Sequence, residues 1–228
     1  MTEQSRPQVL VIGGGPAGLA VAEALTVGRC EVTVVDHMPS FGRKLLMAGR
    51  SGLNLTNAEQ ESSFLKRYGA AEDWLTPALS AFSPSMMTAW AEELGQPCFT
   101  GSSGRVFPKT MKASPLLRAW LNRLADRGVH FRAGMRWQGW NSDGDIVLMS
   151  RDGREEILTP DATVLALGGG SWTRLGSDGG WVSLLSAAGV PVTALRPANC
   201  GFHVEWSEGF QERFSGVPLK RIALSFAG

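Results

Sequence analysis

Residues 9–12, Val-Leu-Val-Ile, break abruptly into Gly13-Gly14-Gly15-Pro16-Ala17-Gly18. This junction constrains the fold more than any other stretch. A short apolar run closed by glycines reads as a strand buried on both faces. Gly13, Gly15 and Gly18 fall on the G-x-G-x-x-G spacing. Pro16 stands where a helix begins, and it is tolerated in a first turn because its missing N–H has no intrahelical partner. Residues 17–25 predict that helix, with Ala20, Val21, Ala24 and Leu25 on one side and Gly28 beyond its end. Residues 31–35 predict a second strand that ends on Asp36. A strand, turn, helix and strand in this order predict a parallel α/β sheet.

Each part of the junction has a chemical meaning. Gly13 permits the tight turn, Gly15 lets backbone approach a pyrophosphate, and Gly18 lets the helix lie close to the sheet. The helix opened by Pro16 and Ala17 offers free N–H groups and about half a positive charge to phosphates. Asp36 lies 18 residues beyond Gly18, where a carboxylate accepts from a ribose 2′-OH and disfavours a 2′-phosphate. FAD or NAD is therefore favoured over NADP at this turn. His37, beside Asp36, is the one histidine with a claim on the adenosine side; His130 and His203 are scattered.

Charge and composition exclude other classes. Lys plus Arg number 22 against 21 Asp plus Glu, a net charge of +1, which gives no electrostatic case for nucleic acid or an acidic membrane surface. The polar N-terminus and the early break in the first apolar run argue against a signal peptide or membrane span. Cys30, Cys98 and Cys200 are odd in number and lack metal or redox spacing, so a reducing cytoplasm is the expected compartment. There is no Ser-His-Asp set, no paired-carboxylate motif and no metal-ligand spacing.

Along the chain, residues 38–57 read as a long ordered loop that lies against a ligand, with Arg43 and Lys44 as its basic pair. Residues 83–94 predict a helix capped by Ser83, with Met86, Met87, Trp90 and Leu94 on one face. Residues 101–108 read as a Gly/Ser loop carrying Arg105, the candidate for orienting an anionic substrate. Ser114 and Pro115 open a helix with Leu117, Trp120, Leu121 and Leu124 at helical spacing. Strands are expected at 129–132, 135–140, 146–150, 156–158 and 162–167, the middle three forming an antiparallel meander. A helix over 179–188 follows, with Asp178 as cap and Val182, Leu185 and Ala188 on one face. A meander used as a crossover in a parallel sheet points to an FAD fold; an NAD-binding Rossmann domain would use helices there. The only later strand signal is 222–226, so the chain reads as the N-terminal part of a longer protein.

Five segments carry a resemblance: G-G-G-P-A-G-L-A at 13–20, G-R-K-L-L-M-A-G-R-S-G-L-N-L-T-N at 42–57, G-R-V-F-P at 104–108, L-G-G-G-S-W at 167–172 with G-S-D-G-G-W at 176–181, and A-L-S-F near the end. Together the sequence resembles bacterial NAD(P)/FAD-dependent oxidoreductases of the BaiN/RdsA or aminoacetone-oxidase type. The resemblance implies FAD on a Rossmann-like, glutathione-reductase-like α/β domain, a parallel sheet plus antiparallel β-meander, over residues 1–197. The start of an inserted β-rich substrate domain would occupy 198–228. NAD(P)H is the implied electron donor and a small molecule the substrate. By position, Gly13, Gly15 and Gly18 hold the pyrophosphate and Asp36 the ribose. Arg43 and Lys44, with Ser51, Gly52, Asn54, Thr56 and Asn57, line the phosphate and flavin side. Gly168 and Gly169 close over the cofactor, and the backbone around Trp137 meets the adenine. Where many members read S-G-x-G-R-C-N, this chain has Ala48-Gly-Arg-Ser-Gly-Leu-Asn54, so no thiol stands beside the flavin. The competing readings are an NAD-only dehydrogenase and a truncated, non-catalytic FAD-binding fragment.

Overall fold

In chain order the first half contains β1 (Gln8–Ile12), α1 (Pro16–Thr26), β2 (Glu31–Asp36), α2 (Arg43–Ala48), β3 (Thr56–Asn57), α3 (Glu61–Lys66), α4 (Glu72–Ala81), α5 (Pro84–Glu93), β4 (Cys98–Thr100) and β5 (Arg105–Pro108). The second half contains α6 (Ala113–Asp126), β6 (His130–Ala133), β7 (Met135–Trp140), β8 (Ile146–Ser150), β9 (Glu155–Leu158), β10 (Ala162–Leu165), α7 (Trp181–Ala187) and α8 (Glu208–Phe214). This is a computed structural model, and it describes residues 6–28, 30–48, 52–197, 203–217 and 223. Residues Met1–Thr193 form one unit and Ala194–Gly228 another.

The first unit is built on a four-stranded sheet in the order β10-β1-β2-β6, with every neighbouring pair parallel. Strand side chains alternate between faces, and the apolar residues of β1 and β2 are divided accordingly. Val11, Val32 and Val34 pack with Leu19, Leu116, Leu117, Trp120 and Leu124 under α1 and α6. Leu10, Ile12 and Val35 pack on the other face with Met135, Trp137, Ile146 and Leu148 of the meander. The meander is antiparallel in the order β7-β8-β9, with a register shift between Trp137 and Gly139. Helices, parallel sheet and meander therefore form three layers. This is the parallel-plus-antiparallel α/β architecture expected from the sequence.

Helix α5 begins as expected: the Ser83 hydroxyl accepts the backbone N–H of Met86 at 3.3 Å and Pro84 opens the first turn. Its buried positions are Ala91 and, just past its end, Leu94, while Met86 is exposed. Trp90 packs against the same core and Met87 is half-buried, so three of the four expected positions face inward and Met86 alone does not. In α6, Leu116, Leu117, Trp120 and Leu124 are buried on one side, as their 3–4 spacing requires.

Three sequence expectations are corrected. Residues 43–48 are not loop but α2, because Arg-Lys-Leu-Leu-Met-Ala is an unbroken run of good helix formers. Residues 105–108 are a strand, paired antiparallel with β4 and β3; the Gly/Ser loop ends at Gly104. Helix α7 starts at Trp181 and packs through Trp181, Leu184 and Leu185, with Ala188 exposed. Asp178 accepts the Gly180 N–H at 3.0 Å, one turn ahead of that helix, and does not cap it. Helices α3 and α4 fill residues that carried no clear signal. The strand expected at 222–226 and Cys200 lie outside the described residues. In the second unit, Trp206 stacks on Phe210 and Phe214 lies tilted against Phe210, each pair with ring centroids 4.8 Å apart.

Candidate functional site

A cleft of about 630 Å³ opens at the C-terminal ends of β1 and β2, where the N-terminus of α1 begins. Parallel α/β sheets place ligands at this end of their strands. The floor is the turn 13–17. Gly13 has φ +113°, and a Cβ there would stand 2.2 Å from the Ala166 carbonyl oxygen beyond β10. Gly14 gives way to the Phe41 ring, which an added Cβ would meet at 2.1 Å. Gly18 lies so close to the Gly13 carbonyl that a Cβ would sit 1.8 Å from it. Gly15 differs from these. Its φ of −83° and ψ of −177° suit any residue, and nothing lies within 4 Å of where its Cβ would be. The Gly15 position faces open cleft at the positive end of α1.

Asp36 fastens the turn. Its Oδ2 accepts the Gly14 N–H and its Oδ1 the Met38 N–H, both at 2.8 Å. Each oxygen keeps a further lone pair for a hydroxyl. His37 follows it into the cleft wall. Burial first, and then the Arg136 guanidinium, push His37 below its ordinary pKa of 6.5, against the opposing pull of Asp36 and Asp178. Arg136 pairs with Asp178 at 3.3 Å. Asp178 is held below the usual carboxylate range by the Gly180 N–H and then by Arg136.

The depressed His37 value has a measurable consequence. The folded protein disfavours the imidazolium, so the neutral ring's contribution is complete above pH 6.5 and is lost as pH falls below that value. The thermal midpoint is expected to drop on acidification from neutral pH, and His37→Gln is expected to flatten that portion of the profile. A midpoint with the same slope in the variant refutes the assignment.

The opposite side is α2 and the loop beyond β10. Arg43 donates through Nη1 to the Ser40 hydroxyl at 3.2 Å, while its buried Nε has no partner. Lys44 Nζ spans the cleft edge to the hydroxyls of Ser171 and Ser177, at 3.3 and 3.2 Å. Ser177, only 3% exposed, donates to the Gly169 carbonyl at 2.7 Å. The end wall comes from β7 and α7. Trp137, 6% exposed, and Trp181 each bury an indole Nε1 that has no partner.

Of the residues singled out in the sequence, Gly13, Gly15, Pro16, Ala17, Asp36, His37, Arg43, Lys44, Trp137 and Gly168 line this one cleft. Gly18 and Gly169 support its walls through packing and a carbonyl. Gly52, Asn54, Thr56, Asn57 and Arg105 do not line it. Thr56 and Asn57 pair with Val106 and Arg105 across β3 and β5. A Cβ on Gly52 would meet the Met111 side chain at 2.5 Å. Asn57 Oδ1 accepts the Glu59 N–H at 3.0 Å, and Asn54 and Arg105 are exposed. The loop expected to wrap a ligand as one piece is thus divided, its first half at the cleft and its last residues in a small sheet. Ser51 lies outside the described residues. Sequence reasoning gave no place at the site to Arg136, Ser177 or Trp181, and made Asp178 only a helix cap. The G-S-D-G-G-W motif contains three of them and was the available signal.

No group of His, Cys, Asp and Glu among the described residues is placed to hold a metal ion. No helix among them is long and apolar enough to cross a membrane.

Residues 7–225 match the HI0933-like protein Rossmann domain family. The chain belongs to that family. The resemblance carried by its motifs therefore holds at family level. The chain is similar to a 3-dehydro-bile acid delta(4,6)-reductase of Clostridium scindens, 27% identical over 82% of this chain and 45% of that protein. It is also similar to a ribosomal RNA dihydrouridine synthase of Haemophilus influenzae, 26% identical over 96% of this chain and 54% of that one. It spans about half the length of these curated relatives. Among solved structures, an E. coli quinol fumarate reductase FrdA variant shares the fold, with a TM-score of 0.53 and 17% identity over 72% of this chain and 33% of that one.

Proposed function

We propose that this chain is the cofactor-holding part of an FAD-dependent oxidoreductase. The observation that carries this reading is an open cleft at a bare helix N-terminus, with a carboxylate on one side and two basic side chains on the other. A Cβ at Gly15 would meet nothing within 4 Å, Asp36 ends β2, and Arg43 and Lys44 line the cleft from α2. A dinucleotide fits these groups: a diphosphate for the turn and for Arg43 and Lys44, a ribose for Asp36, and a base against the largely apolar wall of β7 and α7. The residues present fit the group. When bound, FAD supplies the hydride chemistry, and the protein supplies position, charge and exclusion of water.

The names of the two relatives support this division of labour. One is named for a bile acid and the other for ribosomal RNA. The half of each that this chain matches must serve something two such different substrates have in common, and a redox carrier is the simplest such thing. The substrate here is a small molecule whose recognition belongs mainly to other parts of the protein, with NAD(P)H as electron donor.

The purified protein is expected to be yellow, with the two visible absorption bands of a flavin, or to become so on adding FAD. NADH titrated in parallel is expected to bleach the bound flavin without binding to flavin-free protein. A protein that stays colourless with excess FAD rules the proposal out.

A further inference from the structure

The chain does not pass directly from β10 to α7. Residues 168–180 lie between them, opening on Gly168-Gly169-Gly170 and closing on Gly179-Gly180. Gly168, Leu175, Gly176, Ser177, Asp178 and Gly180 line the cleft. The segment reaches from the end of β10 to the end of β2. A Cβ on Gly176 would stand 2.6 Å from Met38 Cγ and 3.1 Å from the His37 ring. Strand β1 stands between β10 and β2, so the segment crosses the end of β1, where the turn 13–17 begins.

Its fastenings are polar. The middle closes on itself: the Trp172 N–H donates to the Ser177 carbonyl at 2.9 Å and the Ser177 N–H to the Trp172 carbonyl at 3.1 Å. The Ser177 hydroxyl donates back to the Gly169 carbonyl. From α2, Lys44 Nζ donates to the hydroxyls of Ser171 and Ser177. From β7, Arg136 pairs with Asp178. None of residues 168–180 belongs to either apolar cluster. A segment held by polar bonds with few buried apolar contacts opens at less cost than the core, and glycines at both ends absorb the backbone change. An ammonium has three donors; two go to these hydroxyls, leaving one for a phosphate oxygen.

On the reading of the cleft as a flavin dinucleotide site, we propose that residues 168–180 form a strap that opens to admit the dinucleotide, and that Lys44, bonded to Ser171 and Ser177, is the latch that holds it shut. A latch acts on entry and exit alike. Weakening it speeds both and leaves their ratio, the dissociation constant, nearly unchanged. Loss of a direct ligand contact instead speeds release and weakens affinity.

The test follows FAD uptake and release by the flavin-free full chain through flavin fluorescence. In wild type the uptake rate is expected to level off with rising FAD, at the rate of strap opening. Ser177→Ala removes a hydroxyl that accepts from Lys44 and donates to Gly169. It is expected to raise the uptake plateau and the release rate together, about tenfold. Ser171→Ala keeps the Ser177 bonds and is expected to raise both about two- to threefold. A second arm needs no flavin. Arg174 is exposed on the strap, and trypsin cleavage after it is measured against cleavage after Arg154 in the β8–β9 turn. Ser177→Ala is expected to raise that ratio about tenfold, and FAD to lower it in wild type. Wild-type uptake that rises linearly with FAD and never levels off overturns the strap, whether or not the variants fold. Folded variants with wild-type rates, or with faster release and a matching loss of affinity, overturn it too and leave the dinucleotide reading intact. Protein that takes up no FAD removes that reading, and equal cleavage after Arg174 in wild type and Ser177→Ala then removes the strap as well.

Discussion

Gly15→Val is expected to yield a folded protein that no longer retains a flavin nucleotide. The two halves of this outcome come from the same geometry. Gly15 has an extended backbone that valine adopts without strain, and a Cβ would meet nothing within 4 Å. Its carbonyl still accepts the Leu19 N–H at 3.0 Å, so α1 starts as before. Stability is expected to change by about 0.5 kcal/mol or less, as for an exposed site. The added isopropyl group stands where a diphosphate has to approach the first free N–H groups of α1. Loss of that approach is expected to weaken FAD about a hundredfold or more, roughly 3 kcal/mol. Gly13→Ala is the contrasting case, since its φ of +113° and its 2.2 Å clash with the Ala166 carbonyl act on the fold itself. A thermal melt and the visible spectrum of each purified variant separate the two effects. A folded Gly15→Val protein that keeps its flavin would displace the pyrophosphate from this turn.

The same contrast explains what could be read from the sequence. The first strand, turn and helix were legible because each rule there is local. Four apolar residues, three spaced glycines and a proline constrain the backbone within ten residues of one another. The meander was legible for a similar reason, since its turns carry Asn-Ser-Asp-Gly and Asp-Gly. Residues 38–57 misled because their punctuation by Gly42 and Gly52 hides a short helix former run between them. The fate of the 52–57 segment depends on a non-local partner: Leu55 donates its N–H to the Val106 carbonyl at 2.9 Å, and Leu53 to that of Met111 at 3.1 Å. No periodicity within six residues announces pairing with a strand fifty residues on. Trp181 was hidden differently. Its inward face is set by packing against Met135 and Trp137, and the period of α7 was assigned to Val182, Leu185 and Ala188, one position out of phase.

Glu23 is the position with no sequence signal and the largest expected effect on stability. It lies in the middle of α1, where a glutamate ordinarily reads as solvent-facing. Its Oε2 accepts the indole N–H groups of Trp90 at 2.9 Å and Trp120 at 2.6 Å. Its Oε1 accepts from Arg127 Nη1 at 3.4 Å. Arg123 Nη2 is 2.9 Å from the same oxygen, but its N–H is turned away, so this contact is ionic without a formed hydrogen bond. The Glu23 side chain is 18% exposed and that of Arg123 17%. One carboxylate thus joins α1 to α5 and α6 beneath the sheet. Glu23→Ala leaves two indole donors unmatched in a mostly dry layer and takes from Arg123 its nearer carboxylate, with Glu93 remaining at 3.6 Å, which is expected to cost about 3 kcal/mol. In a domain of this size that lowers the thermal midpoint by roughly 6–12 °C. Glu23→Gln keeps an acceptor oxygen and loses the charge, so its loss is expected to be about half as large. None of Glu23, Trp90, Trp120 or Arg123 lines the cleft, so the folded variants are expected to bind FAD as wild type does. A Glu23→Ala protein melting within about 1–2 °C of wild type would mean that water replaces the carboxylate without penalty, and that the three helices are held by their apolar faces alone.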